Sequence, residues 1–208
     1  MVSLLVLLIV RVLSTFQLLN SCLRDILQEI YNEYVNKTPS QIITNNNFPG
    51  LNNKRTTSER LRRLSCTYCT LCEVIRRLND SNGLLLSLLI SISFPVVRSG
   101  VYYVPVREVA WIVNYLAKVF YIAEPCHRTH VQMESTKRLV HQMIRYTPSH
   151  DYPVMNELKL FSRHFVLNQA AYTPLRFFIL DRLFIIAVSK SIFYCLLFII
   201  LYYSYSKY

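Results

Sequence analysis

The chain has 208 residues, 52% of them hydrophobic, with 23 Lys/Arg against 12 Asp/Glu for a net charge of +11. Its mean hydropathy of +0.26 is too low for a protein made only of membrane spans, and three glycines leave little for a phosphate loop or dinucleotide fingerprint. So much basic charge fits either nucleic acid or an anionic surface, and its placement along the chain decides between them.

Residues 1–20 (MVSLLVLLIVRVLSTFQLLN) match the roughly 20 apolar residues that cross a bilayer. No cation precedes this run, Arg11 lies inside it, and no small-x-small site follows Leu19. A retained transmembrane helix is expected rather than a cleaved signal peptide. A span directly after Met1 implies a chain that begins partway through a larger architecture. In the polar, basic segment 21–82, Leu23, Ile26, Leu27, Ile30, Tyr31 and Tyr34 form one helical stripe that continues the first span. Residues 36–58 are Asn-rich, contain Pro39 and Pro49-Gly50, and read as a polar loop. Thr56-Thr57-Ser58-Glu59 then fits a capping box, and Leu61, Leu64, Tyr68, Leu71, Ile75 and Leu78 make the packing seam of the helix it opens.

Residues 83–106 and 107–124 predict the second and third transmembrane helices; the third holds Lys118 and ends at Glu124-Pro125. In the next basic segment, 125–182, Val154, Leu158, Phe161 and Phe165 mark an amphipathic helix. The last apolar run, 174–203, carries charge only at Arg176, Asp181, Arg182 and Lys190. It predicts a fourth span at 183–204 and an extracellular tail at 205–208.

Nine Lys/Arg lie in 21–82 and six in 125–173. The positive-inside rule places both segments in the cytoplasm, against anionic lipid rather than nucleic acid. Glycosylation of either sequon, Asn36-Lys37-Thr38 or Asn79-Asp80-Ser81, would reverse this orientation. The fold class expected is an all-α membrane protein: a transmembrane helix bundle with long cytoplasmic helical extensions, suited to packing against copies of itself.

Candidate chemistry is sparse. Cys66-x2-Cys69-x2-Cys72 has metal-like spacing, but on a helix the three side chains fall on successive turns and cannot close around one ion. Small buried hydrophobes are the simpler reading. His127, His130, His141, His150 and His164 lack ligand spacing, and no metal, cofactor or catalytic residue is expected. A Lys at the bilayer centre costs about 2.5–3.5 kcal/mol on insertion scales, so Lys118 and Lys190 face protein, water or an interface. Lys190 serves equally for a water-lined conduit or for snorkelling to the cytoplasm.

Phe177-Phe178-Ile179-Leu180-Asp181, the span after it, and Phe193-Tyr194 followed by CLLFI resemble the end of an insect gustatory receptor, of the seven-span insect chemoreceptor class. The family's motif there is Thr-Tyr, five hydrophobic residues, then Gln-Phe; here Phe193 stands for Thr, Ile200 for Gln and Leu201 for Phe. Residues 61–82 leading into LLLSLLISISF resemble the helix before the family's fifth span, and 122–144 the segment after its sixth. The resemblance covers most of the chain and corresponds to spans four to seven.

That resemblance implies an intracellular N-terminus, an extracellular C-terminus, a cytoplasmic anchor domain, and a tetrameric ligand-gated cation channel in the cell membrane. It also implies a last helix broken in two, whose membrane half lines the pore. Tyr194, Leu197, Phe198, Ile200 and Leu201 are the pore-lining candidates by position, and apolar rings gate by dewetting. Tyr102, Tyr103, Trp111 and Tyr115 are the ligand-pocket candidates, with aromatic faces and hydroxyls for a small organic tastant; interfacial anchoring accounts for them equally. The partners implied are the lipid bilayer, related receptor subunits and a small organic ligand. Two alternatives stay open. One is a small four-span scaffold or transporter subunit without ligand gating, and the other is a membrane enzyme built on Glu124, His127 and His130.

Overall fold

In a computed structural model the chain is described over residues 2–36, 50–92, 104–148, 151–173 and 179–205. Among these residues there are five helices and no strand: α1 (Val2–Asn36), α2 (Gly50–Ile92), α3 (Val104–Tyr146), α4 (Tyr152–Leu167) and α5 (Arg182–Tyr205).

The long helices pass through the expected segment boundaries at 20, 82 and 124 without a break. Part of the polar loop expected over 36–58 is helical. Residues 37–49 lie outside the described residues, but α2 already starts at Gly50, so Thr56-Thr57-Ser58-Glu59 sits inside a helix rather than opening one. A capping box acts only where the residue before it leaves helical geometry, and here helix continues on the N-terminal side. Pro125 likewise lies within α3; it removes one N–H from the ladder but does not end the helix. In α4 the proline is Pro153, in the first turn, where the missing N–H has no intrahelical partner to lose.

The chain divides into two compact units. One comprises Leu7–Arg76 and Arg128–Ala170, and each of its four helices buries a seam whose spacing alternates three and four. In α1 the seam is Ile9, Val12, Phe16, Leu19, Leu23, Ile26 and Ile30; in α3 it is Thr129, Met133, Thr136, Val140, Met143 and Thr147. The α4 seam is the expected Val154, Leu158, Phe161 and Phe165. In α2, Leu61, Tyr68, Leu71 and Ile75 are buried and Leu64 is half-buried. This is the period of helices packed side by side in bundles. Of the stripe expected at 22–35, Leu23, Ile26 and Ile30 are buried, Leu27 is half-buried, and Tyr31 and Tyr34 are exposed. Both tyrosines lean on Tyr146, with ring centroids 5.3 and 5.8 Å away.

Two side chains organise this core. Tyr68 is an aromatic hub, its ring 6.0 Å from Phe16, 5.8 Å from Phe161 and 4.9 Å from Phe165, so it joins α1, α2 and α4. Burial, with Cys72 beside it, holds the Tyr68 phenol above its ordinary range and therefore neutral. Asn20 is the polar counterpart, with no exposed surface. Its amide donates to the Gln132 carbonyl at 2.9 Å and to Gln132 Oε1 at 2.8 Å, and its Oδ1 accepts from the Thr136 hydroxyl at 2.7 Å.

The other unit comprises Met1–Val6, Arg77–His127 and Ala171–Tyr208. Val119, Ile122, Ala123 and Cys126 give α3 a buried face here, and Leu78, Tyr172 and Leu180 are buried as well.

Removing the Asn20 side chain takes a partner from the Gln132 side chain and from the Thr136 hydroxyl, which keeps its bond to the Gln132 carbonyl at 2.9 Å, and leaves a gap in the core. Asn20→Ala is expected to destabilise the detergent-purified protein by about 1–3 kcal/mol in chemical denaturation. An unchanged midpoint would show that the node carries no stability.

Candidate functional site

The last helix is built from its first residue upward. Asp181 Oδ1 accepts the Phe184 N–H at 2.9 Å, satisfying one of the free donors of the first turn. Arg182, the next residue, binds Glu124 of α3 with both prongs of its guanidinium: Nε to Oε2 at 3.1 Å and an Nη to Oε1 at 2.9 Å. The Arg182 side chain is 59% exposed and that of Glu124 only 13%. Upstream, Asn79 of α2 clasps the strand of chain entering this helix. Its Nδ2 donates to the Ala171 carbonyl at 2.6 Å and its Oδ1 accepts the Thr173 N–H at 3.2 Å.

Beyond these contacts α5 has two faces. Phe184, Ile185, Val188, Ser189 and Ile192 are half-buried, and Leu183, Ile186, Lys190, Phe193, Tyr194, Leu197 and Leu201 are exposed. Each set recurs at helical spacing. Among the pore-lining candidates, Tyr194 is 67%, Leu201 63% and Leu197 39% exposed. Phe198 and Ile200 lie on the same helix, and at 100° per residue all five positions fall within an arc of about 160°. An exposed apolar stripe of this kind marks contact with lipid or with another protein surface.

Of the ligand-pocket candidates, Tyr102 and Tyr103 lie outside the described residues. Trp111 and Tyr115 are on α3, four residues apart and so one turn from each other on one side of the helix. A cavity of about 170 Å³ does occur elsewhere, lined by Glu29, Glu33, Tyr34, Thr57 and Asp151 among others. It is smaller than the roughly 300–1,000 Å³ usual for small-molecule sites.

The cysteines separate by burial. Cys66 is exposed, Cys69 half-buried and Cys72 buried, on successive turns of α2. No group of three or more metal-ligating side chains occurs among the described residues. Burial pushes the Cys72 thiol up to about 11 and the Cys126 thiol up to about 12, which keeps both protonated. His127 is half-buried and His130 and His141 exposed, while His150 lies outside the described residues.

Sequence reasoning placed Glu124 with His127 and His130 as an enzyme candidate and Asp181-Arg182 at a span boundary, and it missed their pairing. The available signal was a lone acid ending one apolar run and a lone Arg beginning the next. Asn79 entered only as a sequon, and Asn20 only as the last residue of a span.

Long helices with continuous seams, a polar buried node and a terminal helix apolar on both faces describe an all-α membrane protein. The chain belongs to the 7tm chemosensory receptor family, whose profile matches residues 1–202. No individual curated protein matches it. The family is one of receptors rather than enzymes. Among the described residues, one helix, Leu4–Val35, is by itself long and apolar enough to cross a membrane.

The thiols give a direct check on the burial pattern. A polar maleimide on detergent-purified protein at neutral pH, read by peptide mass spectrometry, is expected to label Cys66 about a hundredfold faster than Cys72 or Cys126. Because the buried thiols titrate far above their ordinary value of 9.0, Cys72 labelling should keep rising with pH toward about 11. Equal rates would contradict the packing of α2.

Proposed function

We propose that this chain is a gustatory-receptor-like chemosensory membrane protein, a subunit of a tetrameric ligand-gated cation channel detecting small organic tastants, with α5 lining the conduction path. One observation carries this reading: Lys190 is exposed in the middle of the exposed apolar stripe of α5. A cation there is costly against lipid, but not against a water-filled interior shared between subunits. The flanking Leu197 and Leu201 would form apolar rings that dry out in the closed state.

The Glu124–Arg182 pair at 2.9 Å supports the membrane topology. In this reading the third span (107–124) reaches the cytoplasm at Glu124, and the fourth (183–204) leaves it just after Arg182. An ion pair between those residues requires both ends at one membrane level. The spans at 1–20 and 83–106 complete the set, with 21–82 and 125–182 cytoplasmic, the latter as helical anchor, and 205–208 outside. Tyr102, Tyr103, Trp111 and Tyr115 would supply the ligand's aromatic contacts near the outer surface.

Heterologous expression with a panel of small organic tastants tests the proposal by recording. At least one tastant should evoke a cation current, and Leu197→Asp should hydrate the apolar ring and raise ligand-independent current by about tenfold or more. Silence with every tastant, together with normal assembly of the Leu197→Asp and Ile200→Asp variants, would favour a four-span scaffold instead.

A further inference from the structure

The two faces of α5 differ in exposure but hardly in chemistry. Phe184, Ile185, Val188 and Ile192 on the packed side are as apolar as Leu183, Ile186, Phe193 and Leu197 on the open side. A helix hydrophobic all round gains little from one rotation over another, because turning it exchanges one greasy surface for its equal. Directional contacts must then choose the azimuth. At the head of α5 they include the Asp181 cap and the two-pronged Arg182–Glu124 pair.

We propose that Glu124 is a positioning residue for the last helix: its grip on Arg182 sets which face of α5 is presented to the conduction path. At 100° per residue Arg182 lies on the border of the two faces, about 20° from Ser189 on the packed side and about 20° from Phe193 on the open side. Rotation of α5 by one residue exchanges Ile192 and Phe193 and carries Arg182 off the Glu124 carboxylate. A guanidinium–carboxylate fork fixes orientation as well as distance, which a single-point contact does not. Because Arg182 is largely exposed, the pair contributes little to global stability and much to geometry. The functional half of the inference rests on the channel reading above; the geometric half does not.

The experiment separates the two. In purified full-length protein, Phe193→Cys and Ile192→Cys are introduced singly, and their modification by a charged methanethiosulfonate reagent is compared by peptide mass spectrometry. With Glu124 intact, position 193 should react about tenfold faster than 192, as an open-face thiol against a packed one. Adding Glu124→Gln should reduce that ratio to about threefold or less, and Arg182→Lys, which keeps the charge but loses the fork, should fall between. The exchange Glu124→Arg with Arg182→Glu should restore the ratio. If Glu124→Gln lowers thermal stability while the ratio stays put, the pair is merely structural and the inference is overturned. The same holds if the exchange fails to restore the ratio although Arg182→Lys alters it. If the ratio behaves as expected but ligand-independent current is untouched, positioning stands and the pore reading of α5 fails.

Discussion

Register is the constraint on which the α1–α4 unit depends. Apolar seams with alternating spacing hold helices together but specify poorly how far one has slid along another, since a shift of seven residues restores the pattern. Asn20 removes that freedom. Fully buried, it finds a carbonyl, an amide oxygen and a hydroxyl on α3, all within 2.9 Å. A slide of even one turn would break these bonds and leave the buried Asn20 amide unpaired, at roughly 1–3 kcal/mol. A buried Asn in a helical seam is a known way of fixing register. Here the aromatic hub of Tyr68, set among Phe16, Phe161 and Phe165, supplies the burial that makes the fixed register worth holding.

The unit containing α5 poses the opposite problem. The packed and open faces of α5 are both apolar, so burial alone says little about how this helix is arranged, and the polar contacts carry the information. Asn79 holds the chain at Ala171 and Thr173, Asp181 caps the helix, and Glu124 grips Arg182. Side-chain amides and ion pairs act as locators where greasy contacts are interchangeable, much as they do among helices in lipid.

This division explains what the amino-acid sequence disclosed. The seam from Leu61 to Leu78 and the stripe from Val154 to Phe165 were legible because period is a local property and needs no partner to be seen. The locators were not: Asn20 meets Thr136 across 116 residues, Asn79 meets Ala171 across 92, and Arg182 meets Glu124 across 58. Nothing local marks a partner so distant. Helix ends misled for a related reason. The polar run at 50–58 looked like loop by composition, yet a turn of a long helix tolerates Asn, Lys, Arg and Thr, and Pro125 does not stop a helix whose packing continues on both sides of it. For the candidate site, the apolar character of α5 was plain, whereas its division into a packed and an open face needed the neighbours.

Asn79 is at once the first residue of a sequon and a clasp between distant parts of the chain. As the first residue of a sequon it offers an amide nitrogen to which sugar attaches, and attachment on the lumenal side would place residues 21–82 outside the cell. That same nitrogen lies 2.6 Å from the Ala171 carbonyl, while the amide oxygen receives the Thr173 N–H. The Ala171 bond uses one of the two amide hydrogens and the Thr173 bond uses the oxygen, so the clasp on the chain entering α5 depends on one N–H and on Oδ1 of Asn79. Both bonds reach across 92 to 94 residues, so one short amide ties the end of α2 to the chain that leads into the last helix.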